Sequence, residues 1–342
     1  YLTDDNTPGV LFKFEAAVAN DYTDGQLFAY KQLPNSFDGT WVALPMEFDS
    51  LLDARGAALR RGATMFNRLE WVIQAKNGRI FFTETGRDNV TQFKPFMAAG
   101  TNMPARHMLI NPKLNDGDST FTDYYGRVLE LIPGTNTVRV FVEGGTAAGN
   151  AAKNLASPDG LAATRINGRD FLLIQEDLIG SSLNRDPQGN NICEAYFADA
   201  SKPSVEVDDL VRLIIAPNGS EITGGVFTPD GKTLFVNIQH PDNTNTTPYN
   251  NSTTIAVTNY AQFMNTLSIN EQKAADKGFQ VYPNPATREI TFNKVTDIAI
   301  YNLNGEKVRV FRNTDKADVS TLTPGVYFVQ TLQGEVNRLI VQ

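Results

Sequence analysis

The sequence predicts an all-β protein, and three observations support this class. Short runs rich in β-branched and aromatic residues, bounded by Gly, Asn, Asp or Pro, recur through the chain as VLFKF, RIFFTET, RVLELI, TVRVFVE, FLLIQED, LVRLIIA and TLFVNIQ. Helical periodicity is confined to residues 46–63 and 260–277, which is too little for a parallel α/β fold. Tight Asn-Gly or Asp-Gly turns join several of the predicted strands.

The turns identify a repeated hairpin. Gly78, Gly168 and Gly231 each follow an Asn or Asp between two strand-like runs, in WVIQAKNGRIFFTETG, LAATRINGRDFLLIQED and GVFTPDGKTLFVNIQH. Such dipeptides supply the positive φ angles of a type I′ turn, so a hairpin is expected at each. The comparable spacing of these units favours the blades of a β-propeller, while a sandwich remains possible.

An acidic residue precedes each hairpin at nearly the same offset: Glu70, Asp159 and Glu221. The innermost strand of every propeller blade begins near the central axis, so equivalent positions are expected to converge. Clustered carboxylates repel one another unless a cation such as calcium is held between them. The pattern therefore predicts an oxygen-rich metal site, with Glu70 and Glu221 as its main ligands.

Other residues are weaker candidates for the same site. Asp5, Glu176 and His240 could ligate metal, and Arg68 could contact a bound anion such as phosphate, because it would project to the same side of an extended chain as Glu70. His107 fits a structural role better. Three further acids are expected on solvated loops: Asp4, Glu84 and Asp177.

Composition excludes several classes of protein. The 342 residues are 41% hydrophobic and 20% charged, and a formal net charge of −8 argues against nucleic-acid binding. The single cysteine, Cys193, excludes an internal disulfide, and no apolar run is long enough to span a membrane. Because YLTDDNTPGVLFKF begins within strand-like sequence and without Met, we expect a truncated chain.

The strand pattern breaks after Asn259. We expect a propeller portion at residues 1–259, a polar linker at 260–278 and a small C-terminal β-sandwich at 279–342. The last segment contains IAIYNLNGEKVRVF and TPGVYFVQTLQGEVNRLIVQ, which predict further hairpins.

Residues 1–259 resemble the C-terminal portion of PhoX-type alkaline phosphatases. The resemblance rests on YLTDDNTPGVLFKF, on RLEW followed by FFTETGRD, on SPDGLAATRINGRDFLLIQED and above all on EITGGVFTPDGKTLFVNIQHP. It implies a secreted six-bladed propeller that binds calcium and iron and hydrolyses phosphate monoesters. Glu70 and Glu221 would then act at the catalytic centre as metal ligands, with Asp5, Asp159, Glu176 and His240 as weaker ligands.

One departure from that family concerns iron. The family's iron-binding cysteine belongs to a TCEE-like motif that this sequence lacks, and Cys193 lies in a different context. We therefore expect an incomplete propeller from a six-bladed parent, and activity is expected of the parent rather than of the fragment by itself.

Residues 279–342 resemble the C-terminal sorting domain of the type IX secretion system of Bacteroidetes. FQVYPNPATREITF, IAIYNLNGEKV, DVSTLTPGVYFVQ and RLIVQ carry this resemblance. It implies export by the type IX machinery, with the protein released or held at the outer cell surface.

Two other functions compete with a phosphatase. A non-catalytic, calcium-stabilised surface propeller could bind glycans or proteins, and a calcium-dependent lactonase could use the same architecture, because propellers host many activities. In each case we expect a monomer.

Overall fold

The computed structural model describes residues 1–34, 36–86, 104–110, 123, 125–149, 153–177, 192–264, 279–302, 306–331 and 336–342. They fall into two compact units, Tyr1–Ala261 and Gln262–Gln342. Strands greatly outnumber helices in this part of the chain, which confirms the all-β class. No described helix is both long and apolar enough to cross a membrane.

In the described part of the first unit there are four antiparallel sheets of three or four strands, and in each the strands pair in chain order. Their bounds are as follows: first sheet, β1 (Leu2–Thr3), β2 (Leu11–Val18), β3 (Asp21–Gln32) and β4 (Gly39–Ala43); second sheet, β5 (Leu69–Gln74), β6 (Ile80–Glu84), β7 (Arg127–Ile132) and β8 (Thr137–Glu143); third sheet, β11 (Pro158–Ile166), β12 (Arg169–Glu176), β13 (Glu194–Asp199) and β14 (Val211–Ile215); fourth sheet, β15 (Glu221–Phe227), β16 (Thr233–Gln239) and β17 (Thr253–Thr258).

Shorter elements lie between the sheets. A two-stranded pair consists of β9 (Gly145–Thr146) and β10 (Asn154–Leu155). The helices are α1 (Phe48–Leu52), α2 (Ala54–Arg60), α3 (Ala105–Ile110) and a 3-10 turn at Val207–Asp209, and residues 260–264 are also helical.

The predicted hairpins are present, but their turns differ. At Asn167-Gly168 both residues have positive φ, 51° and 80°, as a type I′ turn requires. In the other two turns only the glycine does, Gly78 at 85° and Gly231 at 65°. There the glycine amide donates to a carbonyl three residues back, so a longer turn that ends in a left-handed glycine connects the strands.

The first strands of successive sheets lie side by side: β1 contacts β5, β5 contacts β11, and β11 contacts β15. Apolar residues fill the spaces between sheets. Between the second and third sheets, Phe81 and Phe141 form an edge-to-face pair with ring centroids 4.9 Å apart, and Leu172 is fully buried in the same cluster. Adjacent strand starts are therefore held together by packed side chains.

The second unit is a small β-structure. Its strands are β18 (Val281–Tyr282), β19 (Glu289–Tyr301), β20 (Lys307–Asp318), β21 (Gly325–Thr331) and β22 (Val336–Val341), and β19 pairs with β18, β20 and β21. Ile290, Ile300, Val329 and Leu339 are fully buried in its core. The strands form one hydrogen-bonded sheet, and the predicted sandwich stays a prediction.

Candidate functional site

Three of the predicted acids lie at the beginnings of neighbouring strands. Glu70 and Asp159 are the second residues of β5 and β11, and Glu221 is the first residue of β15. Because these strands contact one another in succession, their first residues are brought to the same end of the sheets. Asp177 directly follows β12 and joins them.

Arg68 lies among these carboxylates. Its Nε atom is 3.3 Å from Asp5 Oδ1, and its Nη2 atom is 3.2 Å from both Glu70 Oε1 and Asp177 Oδ2. We call Arg68 together with Asp5, Glu70, Asp159, Asp177 and Glu221 the Arg68 cluster. It contains five carboxyl groups and one guanidinium, so negative charge predominates.

The backbone holds Arg68 in an uncommon conformation. Its φ angle is 62°, in the left-handed region that non-glycine residues seldom adopt. The Arg68 amide donates to the Asn6 carbonyl at 3.1 Å, and the Arg68 carbonyl accepts from the Thr85 amide at 2.9 Å. These bonds fix the direction in which the side chain leaves the chain, toward the cluster.

Burial and neighbouring carboxylates raise the pKa values of Glu70, Asp159 and Glu221. Burial, together with the charges of Asp159 and Asp5, raises the pKa of Glu70 to about 9. Burial and the charge of Asp177 raise the pKa of Asp159 to about 7, and burial and a hydrogen bond with Asp177 raise the pKa of Glu221. One arginine thus does not neutralise the group.

The donor set fits a hard cation. All candidate ligand atoms of the Arg68 cluster are carboxylate oxygens, the type that calcium prefers. Oδ1 of Asp159 is buried without a hydrogen-bond partner among the described residues. The same is true of Oδ2 of Asp4, the residue before Asp5 in the chain. A buried oxygen without a donor is costly, and a bound cation would satisfy it.

Two of the four weaker predicted ligands, Glu176 and His240, lie outside the Arg68 cluster. Glu176 is fully buried, and its two oxygens accept from the backbone amides of Ala156 at 2.7 Å and Glu194 at 2.8 Å. His240 is exposed just after β16, with φ of 55°, and its charge acts on Glu221. The structure therefore brings His240 near the edge of the cluster and gives Glu176 a contact with the backbone.

Sequence reasoning missed Asp177, which it placed on a solvated loop. Asp177 is 13% exposed and binds Arg68. Successive residues of an extended chain face opposite sides, so Glu176 and Asp177 cannot both face the cluster. The alternation in FLLIQED could have indicated that only one of these two acids faces the cluster. Choosing between them, however, requires the orientation of β12 in the sheet.

Comparison with known proteins places most of the chain in two families. The family model described as alkaline phosphatase PhoX matches residues 1–242, and the model described as secretion system C-terminal sorting domain matches residues 280–342. No curated protein sequence matches the chain.

Among solved structures, Pseudomonas fluorescens PhoX in complex with vanadate, a transition state analogue, is similar in fold. It has 22% identity and a TM-score of 0.54, and the match covers 75% of this chain and 50% of that one. This chain thus spans about half the length of that protein. A levansucrase mutant from B. megaterium (10% identity, TM-score 0.26, 73% and 62% covered) and virginiamycin B lyase from Staphylococcus aureus (9%, 0.26, 97% and 89%) are too dissimilar to carry an argument.

Proposed function

The chain belongs to the alkaline phosphatase PhoX family, and from this premise we propose that it is part of a secreted, metal-dependent enzyme that hydrolyses phosphate monoesters. Its C-terminal sorting domain is of the type IX kind, so the protein is secreted and attached to the outer surface. The sorting domain implies contact with the secretion machinery, and phosphate esters are the substrates that we propose.

The observation that carries the proposal is the Arg68 cluster. Phosphate-ester hydrolysis needs positive charge against the phosphate oxygens, and this cluster combines a guanidinium with carboxylates that could hold cations. As metal-binding residues we propose Glu70, Asp5, Asp159 and Glu221, with Asp177 added from the structure and His240 at the edge. We leave out Glu176, because both of its oxygens already accept backbone hydrogen bonds.

Calcium suits the all-oxygen ligand set, and iron is proposed from the family resemblance alone. When bound, such ions would offset the charge of the phosphate and activate an oxygen nucleophile. We propose that Arg68 binds a phosphate oxygen, because a planar guanidinium recognises phosphate through paired hydrogen bonds. The partly buried acids of the cluster would hold the ions around it.

Membership of the PhoX family also supports a propeller fold. We propose that the four sheets of the first unit are blades of a six-bladed parent, since their first strands contact one another in succession. The domain limits proposed from the sequence, 1–259, 260–278 and 279–342, are kept. We also propose that the parent is monomeric and that the last segment is a sandwich.

An activity assay tests the proposal. The full-length parent would be loaded with calcium and iron and assayed with p-nitrophenyl phosphate, beside a Glu221→Gln variant. We expect metal-dependent turnover that falls by about 10²-fold or more in the variant. Glu47→Gln is a matched control, because Glu47 is exposed at the start of α1 and its side chain makes no cap hydrogen bond.

A parent that is metal-loaded and folded but does not hydrolyse phosphate esters would refute the proposed activity. Retained calcium with no turnover would then favour the non-catalytic surface propeller, whereas turnover of lactones alone would favour the lactonase.

A further inference from the structure

A second group of ionisable side chains lies buried at the end of β6 in the second sheet. It consists of Glu84 at the end of β6, His107 on α3 and Asp123, which are 1%, 0% and 6% exposed. His107 Nε2 is 3.0 Å from Glu84 Oε1 and 3.8 Å from Asp123 Oδ2, and one potential ligand atom of each residue lies within 4.8 Å of the others. The expectation that Glu84 lies on a solvated loop was wrong.

Arginines compensate only part of the negative charge here. Arg127 contacts Glu84, Asp123 and Glu143, and Arg106 binds the second oxygen of Glu143 at 2.9 Å. Three carboxylates thus face two guanidinium groups. One carboxylate charge is left for the imidazole of His107 or for a bound cation to balance, and a buried charge without compensation is costly.

Asn67 gives an independent indication of a missing ligand. It is fully buried, and its Oδ1 atom has no hydrogen-bond partner among the described residues. Its Nδ2 atom is 3.5 Å from Asp123 Oδ2, and its backbone amide donates to Glu84 Oε1 at 2.7 Å. The side-chain amide therefore reaches the group with its nitrogen end, and a half-turn of the amide would direct the unpartnered Oδ1 atom to the same place as a ligand for a cation.

We propose that Glu84, His107 and Asp123 bind one divalent transition-metal ion, with Asn67 Oδ1 as a further ligand. One imidazole nitrogen and carboxylate oxygens suit zinc or a similar ion better than calcium, which prefers oxygen alone. The site is separate from the Arg68 cluster and does not depend on the proposed phosphatase activity.

The proposed ion has a structural role. α3 is a six-residue helix in the segment between β6 and β7, and a helix this short is not stable by itself. Ligands from β6 and α3 would be held by the same ion, which would fasten the helix to the sheet. Binding to the folded state alone raises stability.

Zinc content tests the site in the untagged chain of residues 1–342. After removal of metals with a chelator, Zn²⁺ would be added, and bound metal and thermal unfolding would be measured. We expect a zinc ion that survives dialysis and raises the melting temperature. His107→Gln should weaken its binding at least tenfold, whereas Glu47→Gln, at an exposed residue outside both groups, should leave it unchanged.

A spectroscopic measurement covers the case in which His107→Gln fails to fold. In His240→Gln the only histidine is His107, so imidazole-nitrogen coupling in pulsed EPR of the Cu²⁺-loaded protein must come from it. Such coupling supports the site. Its absence, failure to bind zinc, or equal zinc binding by a folded His107→Gln variant would overturn the proposal and leave an ordinary ion-pair network.

Discussion

Arg68 Nη2 lies 3.2 Å from Asp177 Oδ2, although 109 positions separate the two residues in the chain. Arg68 precedes the first strand of the second sheet, and Asp177 follows the second strand of the third sheet. Their side chains are only 21% and 13% exposed, so solvent screens this pair less than a surface pair. The contact therefore joins two sheets at the place where the candidate metal ligands meet.

Replacement of Arg68 by lysine tests whether the guanidinium shape matters. Lysine keeps the charge but loses the planar fork that pairs with phosphate oxygens. In the metal-loaded full-length parent we expect kcat/KM for p-nitrophenyl phosphate to fall by about 10²-fold. Arg165→Lys is the matched control, because Arg165 is 50% exposed and pairs with Asp170 away from the cluster. Equal kcat/KM in parent and Arg68→Lys would contradict the assigned role.

Glu176→Gln should mainly lower stability, whereas Asp177→Asn should mainly lower the amount of bound metal. Glu176 holds two buried backbone amides, so its replacement puts an amide NH2 group beside one of them and should lower the free energy of unfolding by about 1–3 kcal/mol. Asp177→Asn removes a carboxylate from a crowded cluster, so we expect lower bound metal and a small change in stability. Urea unfolding and elemental analysis measure the two quantities.

The adjacent positions serve as controls for each other. Loss of bound metal in Glu176→Gln, with retention in Asp177→Asn, would show that the roles are assigned the wrong way round.

Local sequence was sufficient for some of the fold. Gly78, Gly168 and Gly231 were correctly placed in hairpin turns, because a left-handed residue is needed there. The alternation in TLFVNIQ correctly indicates that Leu234 and Val236 face the core, since both are at most 1% exposed. These features depend on neighbours in the chain and on a side-chain period of two.

Val226 shows where such local reasoning fails. The apolar pattern of GVFTPDGKTLFV predicts that Val226 packs between sheets, but it is 57% exposed. The pairing of β15 with β16 shifts between Thr223 and Val226, where Gly224 has a φ of 64°. A bulge of this kind reverses the facing of later residues.

The buried group at Glu84 could not be predicted for a different reason. Its members come from β6, from α3 and from Asp123, which are distant in sequence and share no repeat. A single Glu in FFTETG looks like any strand-end acid, and only the tertiary fold brings His107 within 3.0 Å of it.

Glu130 should make stability depend on acidic pH. Burial alone would raise its pKa, but hydrogen bonds from Arg79 and Arg139 outweigh this and hold the pKa below the usual 4.5. The ionised form is thus favoured in the folded state, and the stability gained is present above pH 4.5 and is lost as pH falls through the lower folded pKa. Melting temperatures of the chain and of Glu130→Gln should converge as the medium is acidified.

Glu15→Gln is the control, because Glu15 forms only an exposed pair with Lys13. A melting-temperature difference between the chain and Glu130→Gln that stays constant across the acidic range would contradict the linkage. A shift of the same size in Glu15→Gln would show that net charge, and not this ion pair, is responsible.

Gly225→Ala tests the close approach of β15 to the third sheet. The Gly225 amide donates to Gln175 Oε1 at 2.9 Å, and a Cβ atom at this position would lie 2.9 Å from both terminal atoms of the Gln175 amide. Gln175 is fully buried, and its amide also lies against Gly160, where a Cβ atom would be 2.5 Å from Nε2. We expect the free energy of unfolding to fall by about 1–3 kcal/mol, as in other overpacked interiors.

Gly134→Ala separates this steric effect from the general effect of replacing glycine. A Cβ atom there would meet nothing within 4 Å, and Gly134 lies in a turn without positive φ. The free energy of unfolding of Gly134→Ala should remain within about 0.5 kcal/mol of that of the unaltered chain.

Because Gln175 lies in β12, next to Glu176, displacement of its side chain should also disturb the position of Asp177. We therefore expect Gly225→Ala, but not Gly134→Ala, to lower bound metal at the Arg68 cluster, and equal metal content in both would limit the effect to packing.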